Sequence, residues 1–488
     1  MKKIDKQGQE RMPFMEAFVN YMNEHNALFD LPGHQGNLKT DLDKLIGHKV
    51  FEYDLNSPRG MDNLLAPSGP IKEAQDLFAK ACNADCCKFL INGSSCGNII
   101  MFLSVLKPGD KVICPRNIHK SIISALILSG ATPVFIMPVI DKSTEIACQP
   151  TFESWKKVID KNKDAKALLI INPTYFGSCC DIKKVTKYAH KFNIIVIVDE
   201  AHGSCNYFSN KMPATAMDAK ADMATISIHK GGASLTQSSI LLFNKERVSE
   251  YDVNKAYNML TTTSPSTHLL ASLDSGRKFL VFKGARLVNK AREYAKEAYE
   301  RINKIPGFRC LGREYFQATG IYDYDKTKVV VEVDGLTING FEVFRILKDK
   351  LHVQPELSET YALLFLFGIG LKHEYVDRMV EALQKISDEY YDPNTTYVDH
   401  HYSENFPKII MSPQQAYQSK MKTIKLEDCE GQVSKEAIMV YPPGIPIIVP
   451  GEVFDKNVIS AIKYYKESKA PIMCDNPGCD FVNVVDLD

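Results

Sequence analysis

A chain of 488 residues is long enough to bury a large core and to hold roughly two to four domains. Its 59 Lys and Arg residues equal its 59 Asp and Glu, so no global field draws it to nucleic acid or to an anionic membrane. Hydrophobic residues make up 45% and charged residues 24%, the balance of a soluble globular protein, and no apolar run approaches the roughly 18 residues that span a bilayer.

The chain opens polar at Met1-Lys2-Lys3-Ile4-Asp5, without the apolar segment of a secretory signal. From about Glu10 to Asn26 the spacing of Phe14, Phe18, Tyr21 and Met22 predicts a helix with one apolar face. The turn residues Leu31-Pro32-Gly33-His34-Gln35-Gly36 then break it. Seven apolar runs follow: Lys88–Ile91, Lys111–Cys114, Val134–Met137, Ala167–Ile171, Ile194–Val198, Met223–Ile228 and Ser239–Phe243. Most are separated by amphipathic helical stretches, which predicts an α/β fold with a seven-stranded, mostly parallel sheet covered on both faces. In such sheets a site forms outside the carboxyl ends of the strands. Asn92 to Ser95, His119, Asn172 to Tyr175, Asp199 to His202 and His229-Lys230 all fall there.

A long helix is expected from about Ala271 to Ile305, leading into a smaller α+β domain with strands at Val329–Val333 and Ala362–Ile369. The polar stretch near Tyr391–Glu404 reads as a linker before a C-terminal α+β module. The expected division is residues 1–50 as an N-terminal helical segment, 51–290 as the large domain, 291–395 as the small domain and 400–488 as the C-terminal module. Thirteen cysteines, an odd number, favour reduced thiols and a cytoplasmic setting over a disulfide framework. Cys474 and Cys479 have no second cysteine or histidine pair nearby, so no metal is expected. The neighbours Cys86-Cys87 and Cys179-Cys180 are expected to alternate between buried and exposed faces.

Lys230 lies in Ser227-Ile228-His229-Lys230-Gly231-Gly232, at the end of an apolar strand. One strand earlier, Asp199 ends another in Val198-Asp199-Glu200-Ala201-His202-Gly203. This pair suits pyridoxal 5'-phosphate, with Lys230 forming a Schiff base to the aldehyde and Asp199 keeping the pyridine nitrogen protonated. Gly231 and Gly232 allow close approach, and burial with the cofactor lowers the lysine's pKa. An aspartate at a strand end is also a common cap or turn residue. If buried, however, it needs a cationic partner, and a pyridinium N–H is one. Ala201 is small enough for the ring to lie against it.

Asn92-Gly93-Ser94-Ser95-Cys96-Gly97-Asn98 joins the first run to a helix expected to begin near Asn98. Its N–H groups, with Ser94 and Ser95, can cradle a phosphate, although a simple capped turn has the same composition. Ser227 can add a hydroxyl, as can Thr262 within Thr261–Ser266 by reaching across a dimer interface. His119 suits stacking on the cofactor face opposite Ala201. His229 suits a phosphate contact or proton donation to the reacting carbon, and His202 suits orienting the ring hydroxyl or the substrate.

These residues resemble the Orn/Lys/Arg decarboxylases, a bacterial family of fold-type I pyridoxal-phosphate enzymes. The resemblance runs through Pro32-Gly33-His34, Asn117-Ile118-His119-Lys120-Ser121, Asn172-Pro173-Thr174-Tyr175-Phe176-Gly177, Asp199-Glu200-Ala201-His202-Gly203 and Ser227-Ile228-His229-Lys230. It continues through Leu235-Thr236-Gln237-Ser238-Ser239, Thr261-Thr262-Thr263-Ser264, Tyr441-Pro442-Pro443-Gly444-Ile445-Pro446 and Pro450-Gly451-Glu452. The chain is similar to the short, biosynthetic arginine decarboxylase form, since no flavodoxin-like wing precedes Pro32-Gly33-His34 and His202 stands where long forms tend to carry tryptophan. Gln35 and Cys96 depart from the family pattern without removing a catalytic group. The resemblance implies Lys230 as the Schiff-base lysine, Asp199 on the pyridine nitrogen, His119 stacked on the ring, and Ser94, Ser95, Ser227 and His229 around the phosphate. It also implies a homodimer or higher homo-oligomer with sites between subunits.

A decarboxylase must hold the substrate's α-carboxylate out of the cofactor plane and away from water, whereas an aminotransferase clamps it in plane with an arginine. The nearest arginines, Arg345 and Arg378, lie in helical, solvated contexts. A basic amino-acid substrate needs a carboxylate for its distal cation, and Glu356, Glu359 and Glu452 are the candidates. The resulting expectation is arginine converted to agmatine and carbon dioxide, with lysine and then ornithine as alternatives. An aminotransferase of the same fold, or a paralogue that binds cofactor without turnover, are alternatives of a different class.

Overall fold

The computed structural model describes residues 4–141, 143–395, 406–440 and 445–487. The Tyr441-Pro442-Pro443-Gly444 motif and most of the expected linker lie outside the described residues.

The main sheet contains β1 (Cys86–Leu90), β2 (Lys111–Pro115), β3 (Thr132–Ile136), β4 (Ala167–Ile171), β5 (Ile195–Asp199), β6 (Met223–Ile226) and β7 (Ser239–Phe243). Their spatial order is β1-β7-β6-β5-β4-β2-β3. β2 is parallel to β3 and β4, and β5 is parallel to β6. β7 alone reverses, pairing antiparallel with β1 and β6. Every residue of β5, β6 and β7 is buried, because helices cover both faces. This is the expected seven-stranded sheet, with two local corrections. β6 ends at Ile226, and Ile228–Gly231 forms a separate helical turn, so Lys230 sits on that turn rather than on the strand. The helix after β1 begins at Gly93, not near Asn98, and runs to Val105.

The chain divides into two compact units, Met1–Ser104 with Ile197–Val288, and Val105–Val196 with Asn289–Asp488. In the first unit, the N-terminal helix Pro13–Asn23 buries Phe14 and Phe18. Its first turn is held by Asp274, whose carboxylate accepts the Phe14 N–H at 2.9 Å and the Met15 N–H at 3.3 Å. Arg277, fully buried, pairs with Asp274 at 3.0 Å. The expected long helix is made of three consecutive segments, Thr267–Phe279, a π turn at Leu280–Gly284, and Ala285–Ile302.

In the second unit, β8 (Phe308–Cys310), β9 (Lys328–Val333), β10 (Leu357–Glu359) and β11 (Ala362–Leu366) form an antiparallel sheet in the order β10-β11-β9-β8. Val331, Val333, Leu363, Leu383 and Ile386 share its core. Toward the C-terminus, β12 (Met421–Lys425) pairs with β16 (Phe481–Val485), and β13 (Ile438–Val440) lies between β14 (Ile445–Ile448) and β15 (Ile472–Met473). Eleven cysteines are free, but Cys474 and Cys479 form a disulfide, a pairing the reduced-thiol expectation did not include. Cys87 is buried and Cys86 half-buried, as alternation requires. Cys179 and Cys180 are instead both buried, because Cys179 pairs with Asp323 while the Cys180 N–H bonds Asn172. No described helix is long and apolar enough to cross a membrane.

Candidate active site

In the first unit, the ends of β1, β5 and β6 bring the predicted anion and cation sites together. The helix Gly93–Val105 starts directly after β1. Its second residue, Ser94, accepts a hydrogen bond from the Ser227 hydroxyl at 2.8 Å, and both serines are buried. Ser95 is half-buried in the same first turn. One helical turn further, at i+4 on the same face, Asn98 donates its amide to Asp199 Oδ2 at 2.8 Å. The Ala201 N–H donates to Asp199 Oδ1 at 3.0 Å. Asp199 is only 4% exposed, and none of the described residues gives it a cationic partner. Asn98 was not among the residues singled out from sequence. The signal was its spacing from Ser94, hidden because the helix was expected to begin later.

Gly97 lets this helix approach the sheet. A Cβ there would stand 2.2 Å from Thr225 Oγ1 and 2.7 Å from Leu90 Cδ1. Gly231, on the Lys230 turn, is also forced, since a Cβ would meet Ser204 Oγ at 2.6 Å.

Lys230 is exposed in the chain itself. Its ammonium donates to His202 Nε2 at 3.1 Å. His229 is half-buried and donates Nδ1–H to the Ser238 carbonyl at 2.9 Å, leaving Nε2 as the acceptor. Burial first, and the Lys230 charge against the opposing Ser238 contact, hold its pKa below the usual 6.5. Ala201 is half-buried. Thr262 is exposed, and its hydroxyl accepts the Ser264 N–H at 3.1 Å.

The remaining candidates belong to the second unit. His119 is the N-cap of helix Lys120–Ser129, and its Nδ1 accepts the Ser121 N–H at 3.2 Å with the Ser121 hydroxyl at 2.8 Å. With Nδ1 accepting, a neutral ring carries its proton on Nε2. Glu356 is exposed and accepts from the Tyr175 hydroxyl at 2.5 Å. The other two acids do not suit a substrate cation. Glu359 is buried, and burial, reinforced by Glu145, pushes its carboxyl well above the usual range toward the neutral form. Glu452 is 0% exposed and fully engaged by Arg116, at 2.7 Å to one oxygen and 2.8 Å to the other, which corrects its assignment to substrate. Arg345 and Arg378 each donate to a backbone carbonyl, of Lys469 and His352; Arg378 is exposed as expected, whereas Arg345 is half-buried.

The chain is similar to known proteins over nearly its whole length. The model of the Orn/Lys/Arg decarboxylase major domain matches residues 12–375, and that of the C-terminal domain matches residues 395–478. The chain is 38% identical to an arginine decarboxylase of Bacillus subtilis, over 95% of this chain and 96% of the relative. It is 39% identical to an arginine decarboxylase of Halalkalibacterium halodurans, over 95% of each. Among solved structures, the Francisella novicida lysine decarboxylase superposes with a TM-score of 0.83 at 20% identity, covering 97% of this chain and 81% of that one, a likeness of fold. On the match of both domain models and of near-full-length relatives, the chain belongs to the Orn/Lys/Arg decarboxylase family.

Proposed function

We propose that this enzyme uses pyridoxal 5'-phosphate to decarboxylate arginine, giving agmatine and carbon dioxide. The observation that carries the proposal is Asp199, a buried carboxylate with neutral donors on both oxygens and no cationic partner among the described residues. A pyridinium N–H supplies the missing cation. Its surroundings fit the rest of the cofactor. Ser94, Ser95 and Ser227, at the start of a 13-residue helix, suit the phosphate, and Lys230 Nζ suits the aldehyde. The choice of arginine is supported by its near-full-length relatives. Lysine and ornithine are the alternative substrates.

When bound, the cofactor supplies an electron sink for the pair left on Cα as carbon dioxide departs. The chain's residues do the rest. Asp199 would hold the ring nitrogen's proton, and Asn98 and the Ala201 N–H hold Asp199 in place. Ala201 would lie against one face of the ring, and His119 is the residue that would cover the other. His202, hydrogen-bonded to the Lys230 ammonium, orients that lysine and the substrate. His229, neutral near pH 7 because of burial, becomes a strong acid once protonated and returns a proton to Cα. Glu356 receives the distal guanidinium.

The segment before the sheet exposes Phe29, Leu31, Leu38, Leu45 and Ile46, with Phe29 94% and Leu45 81% exposed. An apolar surface of this kind favours a subunit contact, and we assign it to a homodimer, with Thr262 reaching the neighbouring site. The product chemistry suits cytoplasmic polyamine biosynthesis.

The test is release of carbon dioxide from arginine, lysine and ornithine in parallel, with Lys230→Ala as control. Arginine should be turned over fastest and the variant should be inactive. Keto acid in place of carbon dioxide would instead indicate an aminotransferase, and cofactor absorbance without turnover would indicate a non-catalytic paralogue. Wild-type activity in Lys230→Ala would refute the mechanism, and an active monomer on sizing would refute the dimer.

A further inference from the structure

We propose that Arg116 and Glu452 are positioning residues that fix the orientation of His119, so that the C-terminal region acts on catalysis through one buried ion pair. The inference rests on the reading of His119 given above.

Arg116 directly follows β2, three residues before His119. Its guanidinium grips both Glu452 oxygens at 2.7 and 2.8 Å and donates to the Ile447 carbonyl at 3.1 Å. It stacks over Phe135 at 4.7 Å and Phe406 at 5.9 Å from the ring centroids. Glu452 also accepts the Val449 N–H at 2.8 Å, which ties it into its own turn. That turn admits only glycine at position 451, where φ is +92° and a Cβ would stand 2.2 Å from the Met411 carbonyl. The carboxylate is thus anchored to its own turn by the Val449 N–H and presented as a fixed bidentate acceptor to Arg116.

The same region holds the far end of the helix that His119 caps. Gln414 donates to the Ile127 carbonyl at 3.0 Å, and its Oε1 would lie 2.7 Å from a Cβ at Gly130. Helix Lys120–Ser129 is therefore fixed at both ends by the C-terminal region. Between the two anchors, Ile118 is 1% exposed and His119 locks its ring by accepting the Ser121 N–H.

A buried ion pair typically does little better for stability than an apolar pair of the same size. What a bidentate Arg–carboxylate pair adds is geometric specificity, here exerted on the backbone that carries His119.

The test combines kinetics, cofactor binding and hydrogen exchange on Glu452→Gln, His119→Ala and the double variant. In Glu452→Gln, kcat for arginine should fall about 10- to 100-fold with KM within about threefold. The dissociation constant for pyridoxal 5'-phosphate should rise, and the Ser121 and Ile122 amides of the cofactor-free protein should exchange at least about tenfold faster. Because Glu452 acts through His119, the double variant should be no slower than His119→Ala. Additive losses, or unchanged amide exchange, would overturn the inference while leaving His119 in place. Full activity of His119→Ala would overturn the reading of His119 and this inference with it. Should Glu452→Gln fail to fold, Arg116→Met/Glu452→Met replaces the pair with apolar volume. It should melt like the wild type yet show the same loss of kcat and the same fast exchange, and native values for both would again overturn the proposal.

Discussion

Substituting Gly97 by alanine tests how tightly the cofactor-facing helix is pressed onto the sheet. The new Cβ would lie 2.2 Å from Thr225 Oγ1, 2.7 Å from Leu90 Cδ1 and 3.1 Å from Thr225 Cβ. Ordinary carbon contacts need roughly 3.5–4.0 Å, so helix or strand must yield by more than an ångström. Thr225 cannot swing away freely, because it lies in β6 and is 0% exposed. Overpacking of this kind costs about 1–3 kcal/mol. Ser94 and Asn98 lie on the same helix as Gly97, so the displacement separates Ser94 from Ser227 and the Asn98 amide from Asp199 together. If the full cost falls on the cofactor-competent geometry, affinity for pyridoxal 5'-phosphate drops roughly 5- to 100-fold. Thr225→Ala should restore most of it, since it removes the nearest atom and that hydroxyl has no hydrogen-bond partner among the described residues. Fluorescence titration of the cofactor-free protein measures both variants. Wild-type affinity in Gly97→Ala, or no recovery in the double variant, would refute the reasoning.

Three further outcomes follow from individual groups. Glu356→Gln should raise KM for arginine about 10- to 100-fold with kcat little changed, because the amide loses the charge that pairs with the guanidinium; an unchanged KM would remove Glu356 from the site. Burial holds the pKa of His229 below 6.5, so its contribution to stability is complete above that pH and is lost as pH falls through the lowered value. His229→Gln should flatten that acid limb in melting experiments, and an unaltered limb would contradict it. Glu145 behaves in the opposite sense. Burial pushes its carboxyl from 4.5 to about 7, opposed by contacts to Thr360 and the Tyr464 hydroxyl, with buried Glu359 also nearby. The folded state therefore holds a proton that the unfolded chain releases, and this stability is complete below about pH 4.5 and lost as pH rises through 7. Glu145→Gln should melt like the wild type near pH 5 and higher than it near pH 8.5, and a pH-independent difference would refute the assignment.

The sheet was legible because parallel strands buried on both faces are continuous apolar runs, and all seven begin and end within two residues of the expected boundaries. The widest offsets are two residues: β1 begins at Cys86 rather than Lys88, where its first residues pair with Phe243 and Leu242, β3 begins at Thr132 rather than Val134, and β6 ends at Ile226 rather than Ile228. Two boundaries at the site differ from the expectation. Ile228 is apolar and 1% exposed, so the run through it read as strand although the chain had already turned into a helix. Gly93-Ser94-Ser95-Cys96-Gly97 has the composition of a loop, so the helix start was placed late and Asn98 lost its i+4 relation to Ser94.

What the sequence could not show is which acid faces what. Glu356, Glu359 and Glu452 were alike as candidates, because a carboxylate's role depends on partners remote along the chain. Glu452 meets Arg116 across 336 positions and gives up its charge to a buried pair. Glu359 meets buried Glu145 and is driven toward neutrality. Among the described residues the Glu356 carboxylate meets the Tyr175 hydroxyl, and it stays at the surface, able to receive a cation. The same argument separates Asp199 from an ordinary strand-end aspartate. Its donors, Asn98 and the Ala201 N–H, satisfy its oxygens without neutralising its charge, and a buried charge left in that condition is stable only if something cationic completes it.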